Sequence, residues 1–512
     1  MLNKACYIVF IFIVACGTLF AQDYGRLEGI GTELNSILRV TKAPGFAVAV
    51  VKGEKVIYAK GFGYRHWEDK MPMDVNTLFP VGSTTKAFTS ALLGQLRDEG
   101  KLSFADSPIK HIQELEFYTE ALNGMINIKD LMTHQTGIPR HDESWYLFPT
   151  SNKDSLIHRI KYHEPFTGIR QQWHYNNFMF LIQGVLGERL TGKSWEQNIR
   201  ERFFVPLDMQ RSNTSLSELK KSTNVAMGYE LRHDTLIKKM DYFDLAGMAP
   251  AGSINSSANE MAKWLIVWLN KGRYQRKQIL PEVYVEEAMS SQAVTSASLP
   301  DEDFPDMHLS TYGYGWFISS YRGHYRVQHE GNIDGFSANV SFFPSDGLGI
   351  VVLTNQNGSS ITSMVRNTIA DRMLHTERTD WVKDFVITQE KAKKERKGNE
   401  EIARPNIKTA DNPLHALNSY TGYYGNKGYG QFKIVKEKDS LFAQFKLQKY
   451  YLKHLHHHVF APFEATDTGV DLSKVWPIQF NFRTDDDGEI ICVGVNLEGM
   501  LKDPILFARK VN

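Results

Sequence analysis

The sequence predicts an α/β (α+β) fold in which a sheet flanked by helices carries a helical subdomain and is followed by a small β-barrel-like domain. Three observations lead there. Strand-like runs occur near residue 45 and again after residue 310, helical periodicity fills the stretch between them, and strands resume after a charged interruption near residue 400.

A chain of 512 residues that is 42% hydrophobic and 23% charged can bury a large core and divides into more than one domain. Its 59 basic and 58 acidic residues leave a formal charge of +1, without the positive excess that a nucleic-acid partner requires. A small-molecule or peptide substrate is expected instead.

The first 22 residues read as a leader: Lys4, an apolar run from Ala5 to Ala15, then small and polar residues through Gln22. The run is too short for an ordinary membrane span. Cleavage would start the mature chain near Gln22 or Asp23. Ile13-Val14-Ala15-Cys16 also fits a lipobox, in which case Cys16 would be lipidated and tether the chain to a membrane. Both readings predict an exported protein, periplasmic or extracellular. With Cys6 and Cys16 removed, Cys492 is left without an internal disulfide partner, and stability must come from the core. Within Ile490-Ile491-Cys492-Val493-Gly494-Val495 this thiol reads as a small buried hydrophobe.

The elements follow in order. Gly45 to Gly63 reads as a hairpin around Lys52-Gly53-Glu54-Lys55. After Phe79-Pro80-Val81-Gly82 the period changes, with apolar residues at Ala87, Phe88, Ala91, Leu92 and Leu96 and a stop at Gly100, which predicts an amphipathic helix. Further helices are predicted over Phe178 to Leu190 and Ala258 to Leu269, and late strands at Tyr314–Ile318, Ser337–Phe343 and Leu348–Leu353. A sheet drawn from both chain ends, with helices between, makes those helices the natural second wall of a cleft. Residues 389–412 are a mixed-charge run that reads as a linker or a solvated helix, dividing a domain at 23–388 from a β domain at 413–512 with turns at Asn426-Lys427-Gly428 and Asp485-Asp486-Asp487-Gly488.

Three constellations carry possible chemistry. Ser83-Thr84-Thr85-Lys86 places an amine one helical turn after a hydroxyl, at a helix start whose free N–H groups favour developing negative charge. Ser107-x-x-Lys110 and Ser217-x-x-Lys220 share the spacing, but Ser107 precedes Pro108 as a helix cap would and Ser217 lies in a charged stretch. Read alone, Ser83 suits a cap as well as a nucleophile. Tyr175-Asn176-Asn177 offers a phenol able to carry the serine proton and an amide able to hold a substrate amide, or else a capping Asn beside a packed ring. His329-Glu330-Gly331-Asn332 precedes a strand, so that Gly331 would let a substrate carbonyl approach and the N–H groups of Ser83 and Asn332 would form an oxyanion hole; the plain alternative is a glycine turn.

In this order the three motifs resemble the Ser-x-x-Lys, Tyr-x-Asn and Lys/His-x-Gly of the class C β-lactamase-related serine hydrolases, which are similar to penicillin-binding proteins. Leu131-Met132-Thr133-His134-Gln135-Thr136-Gly137-Ile138-Pro139, Pro206-Leu207-Asp208-Met209, Ala251–Ser256, Tyr312–Trp316 and Val351–Asn355 resemble further segments of that family, so the likeness covers roughly Gly45 to Asn357. The resemblance implies a β-lactamase/transpeptidase-like fold, with Ser83 acylated, Lys86 activating it, Tyr175 as general base and acid, and Asn177, His329 and Gly331 binding substrate. It implies no metal or organic cofactor. His329 stands where true β-lactamases usually have lysine, and neutral imidazole anchors a carboxylate less well than ammonium. Peptide amides with D-residues or from cell-wall material, and small esters, are the expected substrates. The alternative is a slowly acylated penicillin-binding sensor with little turnover.

The segment from about Tyr420 is similar to a lipocalin-like β domain appended to such hydrolases. On one strand His454, His456 and His458 would share a face, but no Cys or carboxylate stands beside them at ligand spacing, so no metal is assigned.

Overall fold

The computed structural model describes residues 25–403 and 412–510, apart from 243, 301, 303, 304, 467 and 468. The expected leader, with Cys16, lies outside the described residues. Within them, no helix is long and apolar enough to cross a membrane. The chain forms two compact units, one of Met1–Ser103, Leu186–Leu245 and Ala249–Lys391, the other of Phe104–Val185, Ala246–Met248 and Ala392–Asn512.

The first unit is built on a nine-stranded sheet in the order Ala293–Ala297, Leu309–Tyr312, Phe317–Tyr321, His324–Ile333, Phe336–Phe343, Leu348–Thr354, Gly45–Lys52, Lys55–His66 and Met71–Pro72. Every neighbouring pair is antiparallel. The two chain ends meet where Val48 pairs with Val352, as the runs of β-formers at both ends predict. Phe46 to Val51 and Leu348 to Thr354 are buried without interruption, because both faces of the sheet are covered.

On one face Val48, Val50, Ile350 and Val352 share a core with two helices, through Leu34 and Ile37 of Ile30–Thr41 and Val365 and Ile369 of Ile361–Met373. On the other lies Ala258–Leu269, whose Leu265 would stand 2.9 Å from a Cβ placed on Gly349. Phe88, on the helix Lys86–Asp98, stacks on Trp264 with ring centroids 4.0 Å apart. Truncating either ring to Ala would cost about 3–5 kcal/mol. That contact anchors the helix that follows Ser83.

The second unit joins a helical stretch to a closed barrel. Its strands run Lys449–His456, Ser440–Gln444, Gly430–Glu437, Gly422–Asn426, Ile505–Lys510, Ile490–Val495, Phe480–Thr484 and Val459–Thr466, and the last pairs back with the first. Closure leaves no open edge in this ring of eight, to which Gly469–Val475 adds along one side. Leu147 and Phe148 of the helical stretch enter the barrel core with Phe432, Phe480 and Phe507.

Several expectations need correction. Tyr314 to Trp316 form a turn with Gly315 at φ 78°, and the strand begins only at Phe317. His454 and His456 end one strand, but the chain reverses at His457, φ 48°, so His458 does not share their face; its Nδ1 lies 2.9 Å from the Tyr420 hydroxyl. Cys492 is half-buried rather than buried, and burial raises its thiol pKa. Of the two readings of the charged run from 389, the helical one holds as far as Ala403, in the helix Trp381–Ala403, and 404–411 lie outside the described residues.

Candidate active site

In the first unit Ser83 sits on a 3₁₀ turn, Gly82–Thr85, and the α-helix starts only at Lys86. The tighter turn follows from Gly82, which takes a left-handed φ of 53° and opens the turn beneath the strand His324–Ile333. Lys86 is completely buried, and its Nζ donates to Ser83 Oγ at 3.0 Å and to the Ala251 carbonyl at 2.8 Å. The turn is held from its flank: Val81 N–H donates to the Ile254 carbonyl at 2.9 Å, and Ile254 N–H to Thr85 Oγ1 at 3.2 Å. Thr89 Oγ1 donates to the Pro250 carbonyl at 2.7 Å while accepting from Trp195 Nε1 at 3.0 Å. A half-exposed hydroxyl beside a fixed, buried amine is an arrangement suited to nucleophile activation.

The strand His324–Ile333 presses on that turn. A Cβ on Gly331 would meet the Val81 carbonyl at 2.0 Å and Ser83 N at 3.1 Å, and one on Gly82 would lie 3.0 Å from Asn332 N. Glycine is required at 331 because of this close approach, since its φ is not positive. The backbone groups of Ser83, Gly331 and Asn332 are thus brought together.

His329 points into the protein and is 2% exposed. Its Nδ1–H donates to the Glu330 carbonyl at 2.6 Å, so Nε2 accepts from the Tyr312 hydroxyl at 3.0 Å. Burial first, then the charge of Lys86, lowers its pKa to about 3. The imidazole is therefore neutral at ordinary pH and supplies no cation for a substrate carboxylate.

Tyr175 and Asn177 belong to the second unit. Asn177 opens the helix Asn177–Thr191, but Asn176 does the capping, its Oδ1 accepting from Phe178 N–H at 2.8 Å and its Nδ2 donating to the Pro139 carbonyl at 2.6 Å. That leaves the Asn177 amide for another partner, and its Nδ2 donates to Asp142 Oδ1 at 2.8 Å. Asp142 also accepts from Arg140 Nε at 2.6 Å and Trp145 Nε1 at 2.9 Å. The Tyr175 ring is set between His134, centroids 4.5 Å apart, and the Arg140 guanidinium, 4.8 Å from the ring centroid. His134 is fixed in turn, with Nδ1 accepting from Asn176 N–H at 3.1 Å.

The barrel takes part in this support. Glu498 accepts from the backbone N–H of His141 at 2.7 Å, and the Tyr429 hydroxyl donates to His141 Nδ1 at 2.8 Å, while His141 Nε2 donates to the Glu164 carbonyl. Burial lowers the His141 pKa, keeping the ring neutral. Arg140 and Asp142 were missed by sequence reasoning; the one available signal was a polar trio, Arg140-His141-Asp142, directly after the Gly137-Ile138-Pro139 turn.

Comparison with known proteins agrees with this architecture. The family model described as beta-lactamase matches residues 34–371, and a domain of unknown function, DUF3471, matches residues 407–508. The chain is 29% identical over 424 residues to unguisins hydrolase ungD' of Aspergillus campestris, covering 79% of this chain and 77% of that protein. It is 26% identical over 348 residues to protein flp of Staphylococcus aureus, covering 66% of this chain and 65% of flp. Among solved structures, the octameric penicillin-binding protein homologue from Pyrococcus abyssi superposes with a TM-score of 0.59 at 22% identity, over 94% of this chain and 99% of that one. The D-stereospecific amidohydrolase from Streptomyces sp. gives 0.53 at 18% identity, over 68% of this chain and 99% of that one. At these identities the two structures speak for the fold.

Proposed function

The chain belongs to the beta-lactamase family and is a serine hydrolase, and from that premise we propose that Ser83 is acylated by an amide or ester and then freed by water. The observation that carries this reading is the 3.0 Å hydrogen bond from the buried Lys86 amine to Ser83 Oγ. Donating from Nζ, Lys86 activates Ser83 Oγ by stabilising the negative charge that develops there as the oxygen attacks. The N–H groups of Ser83 and Asn332 receive the developing oxyanion, a role favoured by the close approach of strand and turn. Tyr175 takes the Ser83 hydroxyl proton and returns it to the leaving group, and Asn177 holds the substrate amide, as their motif positions imply. Gly331 serves this arrangement by letting the strand lie against the turn that carries Ser83.

Peptide amides are the favoured substrates, with D-residues or cell-wall peptides first among them and small esters second. A relative named as a hydrolase of unguisins supports hydrolysis, and a fold neighbour named as a D-stereospecific amidohydrolase favours amides among the bonds to test. The neutral His329 disfavours substrates that depend on a cation for their carboxylate at that position. The expected leader at residues 1–22 supports work outside the cytoplasm, with Cys16 as a lipid tether if the lipobox is used.

The test is a panel of p-nitrophenyl esters, D- and L-residue amides and β-lactams. Faster turnover of D-residue amides than of their L counterparts is expected. Hydrolysis of esters with every amide left intact would replace the peptidase by an esterase. Labelling without turnover of any class would favour the slowly acylated sensor.

A further inference from the structure

Within the second unit, the one-turn helix Glu143–Tyr146 and the barrel strands Lys449–His456 and Val459–Thr466 contribute walls to a cavity of about 510 Å³. Tyr450 and Trp476 form one wall, stacked with ring centroids 5.0 Å apart and planes at 29°. Tyr450 is oriented by donating its hydroxyl to Gln448 Oε1 at 2.5 Å. Tyr146 adds a third ring, and Glu143 and Glu464 bring two carboxyl groups. Among the described residues lining it there is no lysine, arginine or histidine.

Glu143 is the informative member. Burial first, then the negative charges of Asp142, itself paired with Arg140, and Glu498, push its carboxyl up to about 7. A carboxyl at the start of a helix is ordinarily a stabilising feature through the dipole, but a single turn offers little of it. A mostly buried acid among negative groups is costly to hold, and such placements gather at sites where a ligand supplies the missing charge. Aromatic faces beside a carboxylate are the recognition elements for an ammonium group, through cation–π attraction and charge-assisted hydrogen bonding.

We infer that this cavity is a subsite for a primary ammonium group of a peptidic ligand, with Glu143 as counter-ion and Tyr450 and Trp476 as its aromatic wall. Glu143 directly follows Asp142, the residue that holds the Asn177 amide, so the subsite lies one residue along the chain from that position. Its bearing on substrate choice rests on the reading of Asn177 as a substrate-amide ligand; the binding site itself does not.

Ligand-observed NMR titration of the full-length Ser83→Ala chain tests this with three probes. Alanyl-alanine amide carries a terminal ammonium, Nα-acetyl-lysine amide a side-chain ammonium, and N-acetyl-alanyl-alanine amide none. At least one cationic probe is expected to bind about tenfold or more tightly than the neutral one. Preference for the first assigns the site to a chain terminus, and preference for the second to a lysine side chain. Glu143→Gln, which keeps the shape, and Trp476→Leu should each erase the preference while the melting temperature shows the chain still folded. Equal binding of all three probes, or an undiminished preference in folded Glu143→Gln, would overturn the inference. Residual hydrolysis in Ser83→Ala would count against the nucleophile and leave this result unaffected.

Discussion

Asn177 Nδ2 donates to Asp142 Oδ1 at 2.8 Å, and this one bond fixes which way the amide of the Tyr-x-Asn motif faces. With its nitrogen held by a carboxylate, the amide has its two ends distinguished. Asp142 also secures Arg140, which lies over the Tyr175 ring. One carboxylate thus positions two proposed site residues.

Replacing Asp142 by Ala should remove the acceptor of Asn177 Nδ2 and the hydrogen-bond partner of Arg140 Nε. A hydrogen bond to a charged group contributes about 1.5–3 kcal/mol, so kcat/KM on the best substrate should fall about 10- to 100-fold. Asp142→Asn, which can still accept from Asn177, should recover part of the loss. A purely structural role would lower the melting temperature of both variants without separating their kinetics.

Lys86→Met removes an amine that is completely buried and bonded to both Ser83 Oγ and the Ala251 carbonyl. The carbonyl left without its donor costs about 1–3 kcal/mol, which a domain of this size can absorb. Acylation should slow by about 10²–10⁴, the range for a group positioned to support proton transfer. Stopped-flow measurement of adduct formation with a fluorophosphonate checks the rate, and circular dichroism the fold.

How much of this was legible depended on sequence separation. Ser83 and Lys86 are three residues apart, so their meeting follows from helical geometry alone. The hairpin at Gly53 and the helix Ala258–Leu269 were equally readable, since a turn residue and a 3.6-residue period are local. Asp142 is 35 residues from Asn177, and no local pattern links them. The residues alone left open which of the adjacent amides at 176 and 177 caps the helix; the Tyr-x-Asn resemblance singled out Asn177, and the structure places Asn176 as the cap and turns Asn177 toward Asp142. The histidine run failed for a related reason: strand alternation was assumed through His457, where the backbone turns back.

Gly331→Ala should damage the turn beneath it. The new methyl would meet the Val81 carbonyl at 2.0 Å, so the strand must move away from Ser83. Overpacking of this kind costs about 1–3 kcal/mol, and activity should drop more steeply than stability because the strand edge and the Ser83 N–H separate. Thermal melts and kcat/KM measured on the same preparation separate the two effects.

His329 makes a pH prediction with a definite sign. Its pKa in the folded protein is about 3, below the ordinary 6.5, so between those values the unfolded chain binds the proton that the folded chain refuses. The stability that follows from the neutral imidazole is fully present above pH 6.5 and is lost as pH falls toward 3. His329→Gln should therefore show a shallower fall in denaturation midpoint between pH 6.5 and 4, and the wild-type activity profile should show no inflection from this residue near 6.5. A wild-type slope matched by the variant would contradict the assignment.

The central claim is that Ser83 is the nucleophile. The most direct measurement is mass spectrometry of the full-length protein after fluorophosphonate treatment, with the adduct located by peptide mapping. One adduct per chain, on Ser83, is predicted, with neither labelling nor turnover in a folded Ser83→Ala variant. An adduct on any other residue, or undiminished turnover in that variant, would contradict it.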